Sequence, residues 1–330
     1  MKSLKDIPVL VTGATGFVGS RLSELLSIKE NAIVTGIGRN FDRVQHLKKS
    51  GVNLEAVDIL DTNALKKVVE GKGVIFHAAA VLDSNPEAAQ RVNVDATENL
   101  IKLAGEAGVS RVVHISTVGA HNMKNREVVD ESAPLALDHS STYPRTKAEA
   151  EKRAAEMAKK FDLELSIVRP SMIYGPGYGI WSTGMFQNIL EGKPVFLGNG
   201  STHYHPVYID DVVDAIILCA KHPDAAGESF NISAEITTWR EFMSHYGQLC
   251  DKKPKGLPLI VARLMAFANK IPGIKTPIDQ GFIEMANSCK QFPTKKASDI
   301  LGWEPKVTLK EGLKRTTQWL EEEVYKKWKP

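Results

Sequence analysis

Cysteine is scarce in this chain of 330 residues: it occurs only as Cys219, Cys250 and Cys289, which lie far apart. Their spacing fits neither a disulfide framework nor a zinc motif, so we expect no metal site and a reducing, cytoplasmic setting. Net charge is also low, +3 at pH 7, with basic and acidic residues interspersed. Since clustered positive charge is missing, we expect no nucleic acid as a partner.

Long apolar runs are absent as well. The first eight residues alternate charged and apolar positions, which predicts no signal peptide. The longest candidate membrane segment, residues 257–271, is too short for a span and contains charged residues, so no membrane span is expected. It is typical of an amphipathic helix packed on the protein's own core, and contact with a membrane surface is the alternative.

The first half of the chain alternates short β-rich segments with helical patterns. The predicted strands are residues 8–12, 33–37, 54–58, 74–78, 111–116 and 165–169, and the predicted helices are residues 18–27, 62–70, 88–107 and 142–160. This alternation indicates right-handed crossovers and a Rossmann-type, doubly wound parallel sheet of the α/β class. Ligands bind such sheets at the carboxyl ends of the strands.

After residue 170 this rhythm is interrupted by sequence rich in glycine and proline. Residues 206–220 predict a return to the sheet as a short strand and a helix, and Pro-rich turns and helices are expected from residue 224 onward. The two parts are therefore interleaved. We expect a dinucleotide-binding Rossmann domain at 1–170 plus 206–223, and a smaller, mostly helical substrate-binding region at 171–205 plus 224–330.

A glycine-rich turn follows the first predicted strand. Glycines at positions 13, 16 and 19 permit a tight turn, close approach of backbone amides to a pyrophosphate, and close packing of helix on strand. The amino terminus of the following helix favours phosphate groups. A turn without a ligand is the alternative. The segment predicts a dinucleotide site formed by Gly13, Thr15, Gly16, Phe17, Val18 and Gly19.

The end of the second predicted strand indicates which dinucleotide binds. An Asp or Glu there would bind the adenosine ribose of NAD, but the sequence reads Gly38-Arg39-Asn40, without a carboxylate. The Arg39 guanidinium can pair with a 2′-phosphate, which favours NADP(H). If Arg39 instead stacks on adenine or faces solvent, the cofactor is NAD(H).

Further motifs, in order, resemble the extended short-chain dehydrogenase/reductase family. That family includes nucleotide-sugar epimerases and dehydratases as well as 3β-hydroxysteroid dehydrogenases. The similarity covers nearly the whole chain, through residues 12–19, 57–59, 77–80, 92–94, 114–117, 143–147 and 168–170, and more weakly through 205–211 and 301–305.

The resemblance implies a catalytic centre at Tyr143 and Lys147, whose spacing places both on one helix face. The tyrosine would exchange a proton with a carbinol oxygen, and a nearby ammonium would lower its pKa from about 10. Lys147 would also hold the nicotinamide ribose. Thr117 aligns with the hydroxyl residue that binds the reacting oxygen, and Ser116 is the second candidate. Further cofactor contacts are implied at Asp58, Ile59, Ala78, Ala79, Ala80, Pro170 and Ile173.

Differences from the family's motifs narrow the range of reactions that we expect. Val118-Gly119 replace the Asp-Glu pair of the dehydratases, and segments 170–172 and 202–205 lack the Asn and Arg typical of nucleotide-sugar enzymes. His203, His205 or Lys193 remain as substitute phosphate ligands. An aromatic-rich set suits either an apolar pocket or a second core, namely Tyr174, Tyr178, Trp181, Met185, Phe186 and Tyr204.

Three hypotheses about function follow. The leading one is an NADP-dependent oxidoreductase that interconverts a secondary alcohol and a ketone on a small-molecule substrate. The second is a nucleotide-sugar epimerase. The third is a noncatalytic dinucleotide-sensing protein on the same fold. The resemblance also implies a homodimer, formed through helices 88–107 and 142–160.

Overall fold

In the computed structural model the chain is described over residues 3–82, 85–269, 271, 274, 276 and 278–328. Its strands are β1 (Pro8–Thr12), β2 (Ile33–Gly38), β3 (Asn53–Ala56), β4 (Val74–His77), β5 (Arg111–Ile115), β6 (Glu164–Pro170), β7 (Met172–Tyr174), β8 (Pro194–Leu197), β9 (His203–Tyr204), β10 (Pro206–Tyr208), β11 (Ser229–Ile232), β12 (Thr237–Thr238) and β13 (Lys255–Leu257). Its helices are α1 (Phe17–Ile28), α2 (His46–Lys49), α3 (Thr62–Val69), α4 (Pro86–Ala89), α5 (Ala96–Glu106), α6 (Thr142–Lys160), α7 (Met185–Leu190), α8 (Ile209–Lys221), α9 (Trp239–Leu249), α10 (Leu259–Ala268), α11 (Gln280–Ala286), α12 (Lys295–Leu301), α13 (Leu309–Leu320) and α14 (Lys326–Trp328).

Seven parallel strands form the central sheet in the order β11-β6-β5-β4-β1-β2-β3. The chain winds outward in both directions from β1 and β4, so the doubly wound parallel sheet predicted from the sequence is confirmed. The strand order reverses between β1 and β4. In sheets of this kind the ligand crevice lies outside the carboxyl ends of the strands at that switch point.

Helices cover both faces of the sheet. Helices α1, α8 and α12 bury their apolar side chains on one face, and α3, α5 and α6 do so on the other. Strands β4 and β5 are buried at every position, which fits the apolar runs Val74–Phe76 and Val112–Val113 within them. Helix α4, the π-helical residues 90–95 and α5 run on without a break, matching the predicted helix 88–107 apart from its ends. The homodimer expected through these helices stays a prediction.

Two strands depart from expectation. The short strand β10 pairs with β7 in a separate two-stranded sheet, so the predicted return of residues 206–220 to the main sheet is wrong for the strand. Helix α8 does pack against the main sheet. Beyond residue 224, where turns and helices were expected to predominate, β11 extends the edge of the main sheet beside β6. Segments of three or four residues carry too little pattern to specify their pairing partner.

A second apolar core lies outside the sheet, around α7, α9, α11 and α13. Three of the six predicted pocket residues, Tyr174, Phe186 and Tyr204, are fully buried in it, and the Tyr204 ring lies 4.5 Å from that of Phe242. These three therefore serve as core, whereas Tyr178 is exposed. The division of the chain into a dinucleotide-binding domain and a substrate-binding region remains a prediction.

Candidate active site

The turn between β1 and α1 depends on its glycines. Gly13 has a φ of +68°, and a Cβ there would lie 2.7 Å from the backbone nitrogen of Ala79. A Cβ on Gly19 would lie 2.2 Å from the carbonyl oxygen of Gly13. Both distances are shorter than any real Cβ contact. Only glycine therefore allows this loop to lie so close to α1 on one side and to the loop after β4 on the other. The turn thus has the shape expected of a phosphate-binding cradle.

The loop that carries Ala78, Ala79 and Ala80 is tied to this turn. The Ala79 N–H donates to the Thr12 hydroxyl over 3.2 Å, and the same hydroxyl lies 2.7 Å from Nδ1 of His77. Farther along, the Asn93 amide exchanges hydrogen bonds with the backbone of Val81. The three alanines therefore line the switch point beside the glycine turn, and Asn93 supports their loop.

The adenosine end of the expected site is formed by the ends of β2 and β3. A Cβ on Gly38 would lie 2.5 Å from the Thr15 side chain, so the glycine turn touches the residue before Arg39. The Arg39 side chain is exposed, as is that of Asp58, whose carboxylate accepts from the Leu60 N–H. Ile59 packs at the rim of the sheet's core. These positions surround an open rim in which an adenosine can lie.

The remaining predicted cofactor residues occupy more enclosed positions. Phe17 packs on the segment after β7, where a Cβ on Gly179 would lie 2.7 Å from its ring. Val18 and Ile173 are half-buried and bridge the two cores. Pro170 ends β6, where it is buried. Phe17 thus links the glycine turn to the second region, and the other three shape the surrounding walls.

Helix α6 brings Tyr143 and Lys147 to the carboxyl end of β5. Tyr143 lies in its first turn and is half-buried. Lys147 is almost fully buried, and its ammonium donates to the carbonyl of Ile115 over 2.7 Å. It also lies 3.2 Å from Nε2 of His114. These bonds hold α6 against β5, the strand that Ser116 and Thr117 follow.

Burial shifts the pKa of both catalytic candidates. It lowers the pKa of Lys147 to about 8, against the opposing effect of the Glu151 carboxylate. It raises the pKa of Tyr143 to about 12, whereas the sequence led us to expect that the neighbouring ammonium would lower it. That expectation is wrong for the chain by itself. The Lys147 ammonium is bound to the Ile115 carbonyl, and desolvation dominates at the phenol.

The two hydroxyl candidates differ in their environments. Thr117 is half-buried and its oxygen accepts from the Gly119 N–H over 3.1 Å, as a cap of the short 3₁₀ turn at 118–120. The Ser116 hydroxyl is buried and has no hydrogen-bond partner among the described residues. Thr117 still has its own proton to donate, so both residues remain candidates for binding a substrate oxygen.

Two groups of buried polar residues lie behind this site and were not assigned a role from the sequence. His77 and His114 stack with ring centroids 5.1 Å apart, and Nε2 of His77 lies 2.8 Å from the Thr97 hydroxyl. Deeper along α6, the Glu151 carboxylate binds the guanidinium of Arg169 through three contacts of 2.5–3.1 Å. Both histidines and Arg169 fall within the motifs that carry the family resemblance, and Glu151 follows Lys147 at helical spacing.

The buried histidines predict acid sensitivity. Burial, reinforced by the Lys147 charge, lowers the pKa of His77 to about 3 and that of His114 well below its ordinary value. Between about pH 6.5 and pH 3 the unfolded chain therefore binds protons that the folded chain does not. We expect stability to fall with acidification across that window, by up to about 1.4 kcal/mol per pH unit for each histidine. Urea unfolding at a series of pH values measures this.

The control for this pH dependence is an exposed histidine. His77→Gln is expected to flatten the acid slope, and His245→Gln, at an exposed position, is expected to leave it unchanged. Equal slopes for wild type and His77→Gln would contradict the assignment.

The glycine turn supplies a second prediction. Gly13→Ala is expected to lower the unfolding midpoint and to weaken NADPH binding at least about tenfold, because the new methyl group displaces the Ala79 backbone. Gly108→Ala is the matched control, since Gly108 has a φ of +69° but nothing within 4 Å of the position that a Cβ would occupy. Thermal unfolding and calorimetric titration separate the two. If both variants bind NADPH alike, close approach at Gly13 does not matter.

Comparison with known proteins adds independent information. The model of the NAD dependent epimerase/dehydratase family matches residues 9–233. A UDP-glucose 4-epimerase of Vibrio cholerae is 29% identical, covering 94% of both chains. The 3beta-hydroxysteroid-dehydrogenase/decarboxylase isoform 1 of Arabidopsis thaliana is 30% identical, covering 93% of this chain and 78% of that protein. The UDP-glucuronic acid 4-epimerase of Bacillus cereus, solved in complex with NAD, has a TM-score of 0.78 at 22% identity, covering 97% and 98% of the two chains, and so shares the fold.

Proposed function

The chain belongs to the NAD dependent epimerase/dehydratase family, and from that premise we propose that it is a nicotinamide-dependent oxidoreductase interconverting a secondary alcohol and a ketone. The observation that carries the proposal is that α6 brings Tyr143 and Lys147 to the segment just after β5, which contains Ser116 and Thr117, beside the switch point of the sheet. A noncatalytic sensor would not need this arrangement.

The residues present fit a dinucleotide. The cradle at Gly13 and Gly19 admits no Cβ, and it leads directly into the amino terminus of α1, whose free N–H groups favour a pyrophosphate. Thr15 packs between that cradle and the strand end at Arg39. Thr15 and Arg39 would hold the adenosine side, while Lys147 would bind the nicotinamide ribose.

The reaction divides between cofactor and protein. When bound, the nicotinamide supplies the hydride acceptor for oxidation or the hydride donor for reduction. Tyr143 takes the hydroxyl proton of the alcohol as its carbon loses hydride, or gives a proton to the ketone oxygen in the reverse direction. Thr117, with Ser116 as the alternative, donates a hydrogen bond that holds that oxygen. Lys147 stabilises the phenolate form of Tyr143 when the ammonium turns toward it.

The second candidate function is nucleotide-sugar epimerisation, which the similarity to the Vibrio cholerae epimerase supports. One of the three substitute phosphate ligands argues against it. His205 is buried with its pKa lowered to about 4, so it is neutral and offers no cation to a diphosphate. Lys193 lies in an exposed pair with Glu191, and the His203 ring lies 3.3 Å from the carbonyl of Lys290. The neutral His205 and the missing arginine of segment 202–205 favour a less charged substrate.

The choice of cofactor is tested at Arg39. Its guanidinium is exposed at the end of β2, where a 2′-phosphate would lie, so we expect wild type to prefer NADPH. Arg39→Ala is expected to weaken NADPH binding about ten- to hundredfold and to leave NADH binding nearly unchanged. Calorimetric titration measures both affinities. The control is Arg240→Ala, another exposed arginine, which donates to the carbonyl of Asn199 in the second region. Equal or tighter binding of NADH by wild type would identify NAD(H) as the cofactor.

A further inference from the structure

Helix α10 packs with its small side chains inward and its large apolar side chains outward. Ala262 and Ala266 are its buried residues, whereas a stripe at helical spacing faces solvent. The exposed fractions in this stripe, hereafter the α10 stripe, are 70% for Ile260, 64% for Leu264, 63% for Phe267 and 46% for Ile271. The helix expected within residues 257–271 does pack on the protein's own core, but it does so through Ala262 and Ala266, and its large apolar side chains stay outside.

Such a surface is unusual for a protein surrounded only by water. Single exposed apolar residues are common, but a contiguous apolar patch marks a site of contact with a partner. Val261 and, beyond the helix, Ile274 add to the exposed apolar area. No helix in the described part of the chain has the length and apolar character needed to cross a bilayer. A partner must therefore meet the α10 stripe at the surface.

The charged residues that flank the stripe in sequence are all of one sign. From Lys252 to Ile278 the sequence contains six basic residues and no acidic one, although the whole chain carries only +3. Among the described cations, Arg263 is exposed on α10 next to the stripe, and Lys253 and Lys255 are exposed just before the helix. The rest of the chain is consequently net acidic. This concentrated positive charge beside apolar side chains complements an anionic, apolar surface.

Helix α10 is connected to the candidate active site through α11. Helix α10 packs against α11, whose first turn is capped by the carboxylate of Asp279. That carboxylate accepts a hydrogen bond of 2.8 Å from the hydroxyl of Ser141, the residue that precedes the catalytic helix α6. A Cβ on Gly281 would lie 2.1 Å from the same hydroxyl. Helix α11 therefore links α10 to the residue that precedes α6.

We propose that the α10 stripe docks the protein on the surface of an anionic phospholipid bilayer. Ile260, Leu264 and Phe267 enter the boundary between headgroups and acyl chains, as in other interfacial helices. Arg263 and the lysines before the helix bind the lipid phosphates. A second copy of the chain fits less well, because a two-fold contact across the stripe would bring Arg263 and its neighbouring lysines against their own copies.

The experiment is co-sedimentation of the purified full chain with vesicles of phosphatidylcholine alone or mixed with phosphatidylglycerol. Wild type is expected to bind the mixed vesicles and to dissociate as salt is raised. Leu264→Gln/Phe267→Gln is expected to bind at least about tenfold more weakly, and Arg263→Gln about fivefold more weakly. The control is Ile28→Gln/Ile33→Gln, which replaces two apolar residues of similar exposure elsewhere and is expected to bind like wild type.

Retained NADPH binding and an unchanged unfolding midpoint show that the stripe variants are folded. Because vesicle binding is measured without any substrate, its outcome does not depend on the proposed reaction. Wild type that stays in the supernatant with both kinds of vesicle overturns the proposal. So does equal vesicle binding by wild type and Leu264→Gln/Phe267→Gln. A wild-type dimer that the same double variant dissociates, measured by sedimentation velocity, would identify the stripe as a subunit contact and also overturn it.

Discussion

Replacing Tyr143 with phenylalanine is expected to lower kcat about 10²- to 10⁴-fold for the alcohol or ketone substrate, while NADPH binding stays near the wild-type value. In the proposed reaction the phenol is the proton donor or acceptor next to the reacting oxygen, and the phenylalanine ring keeps the packing of the tyrosine ring. Steady-state measurement of nicotinamide oxidation or reduction gives kcat, and calorimetry gives the affinity for cofactor.

The control for Tyr143→Phe is Tyr178→Phe. Tyr178 is also at the border of the second region, but its ring is exposed and stacks edge-on against Trp319. The Tyr178→Phe substitution should leave kcat unchanged. A Tyr143→Phe variant that retains most of its kcat would remove Tyr143 from the reaction.

The direction of the Tyr143 pKa shift bears on the direction of the reaction. With burial raising this pKa to about 12, the phenol keeps its proton at neutral pH. A protonated phenol can donate to a ketone oxygen at once, whereas alcohol oxidation first requires the phenolate. We therefore expect the rate of alcohol oxidation to rise as the pH is raised in the same assay.

Replacing Glu151 with glutamine is expected to lower the free energy of unfolding by about 3–5 kcal/mol. The Glu151 side chain is 1% exposed and that of Arg169 is 7% exposed, so the pair is withdrawn from water. Neutralising the carboxylate leaves a buried guanidinium without its counter-ion. Because Glu151 also raises the pKa of Lys147, the same variant is expected to lower that pKa below its present value of about 8.

Glu149→Gln is the matched control for Glu151→Gln, two residues earlier on the same helix. Glu149 pairs with Arg153 at 2.5 Å, but their side chains are 28% and 36% exposed. Exposed pairs of this kind contribute about 0–1 kcal/mol. Urea unfolding of both variants gives the comparison. Equal losses of unfolding free energy in the two variants would mean that burial does not set the strength of the Glu151–Arg169 pair.

The parts of the molecule that could be predicted from sequence are those governed by local chemistry. The glycine turn at 13–19 requires residues without a Cβ, so the turn could be predicted from the residue types themselves. The strand and helix pattern of the first half predicted the parallel sheet, and the family resemblance is confirmed by the match over residues 9–233. The roles of the individual site residues stay predictions.

The features that could not be predicted depend on contacts between distant residues. The pairing of β10 with β7 and of β11 with β6 is decided by the whole packed molecule. The pKa of Tyr143 depends on how deeply the first turn of α6 is buried. Helix α10 packs on the core as expected, but it does so through its small residues, because periodicity alone cannot say which side of a helix meets the core.

The measurement that tests the central claim most directly is the stoichiometry of cofactor turnover with a panel of secondary alcohols and ketones. Our account predicts that each molecule of ketone reduced consumes one molecule of NADPH added in excess, and that Tyr143→Phe abolishes this consumption. Conversion of a nucleotide sugar to its epimer, with the cofactor retained on the protein and no net change in its redox state, would contradict it.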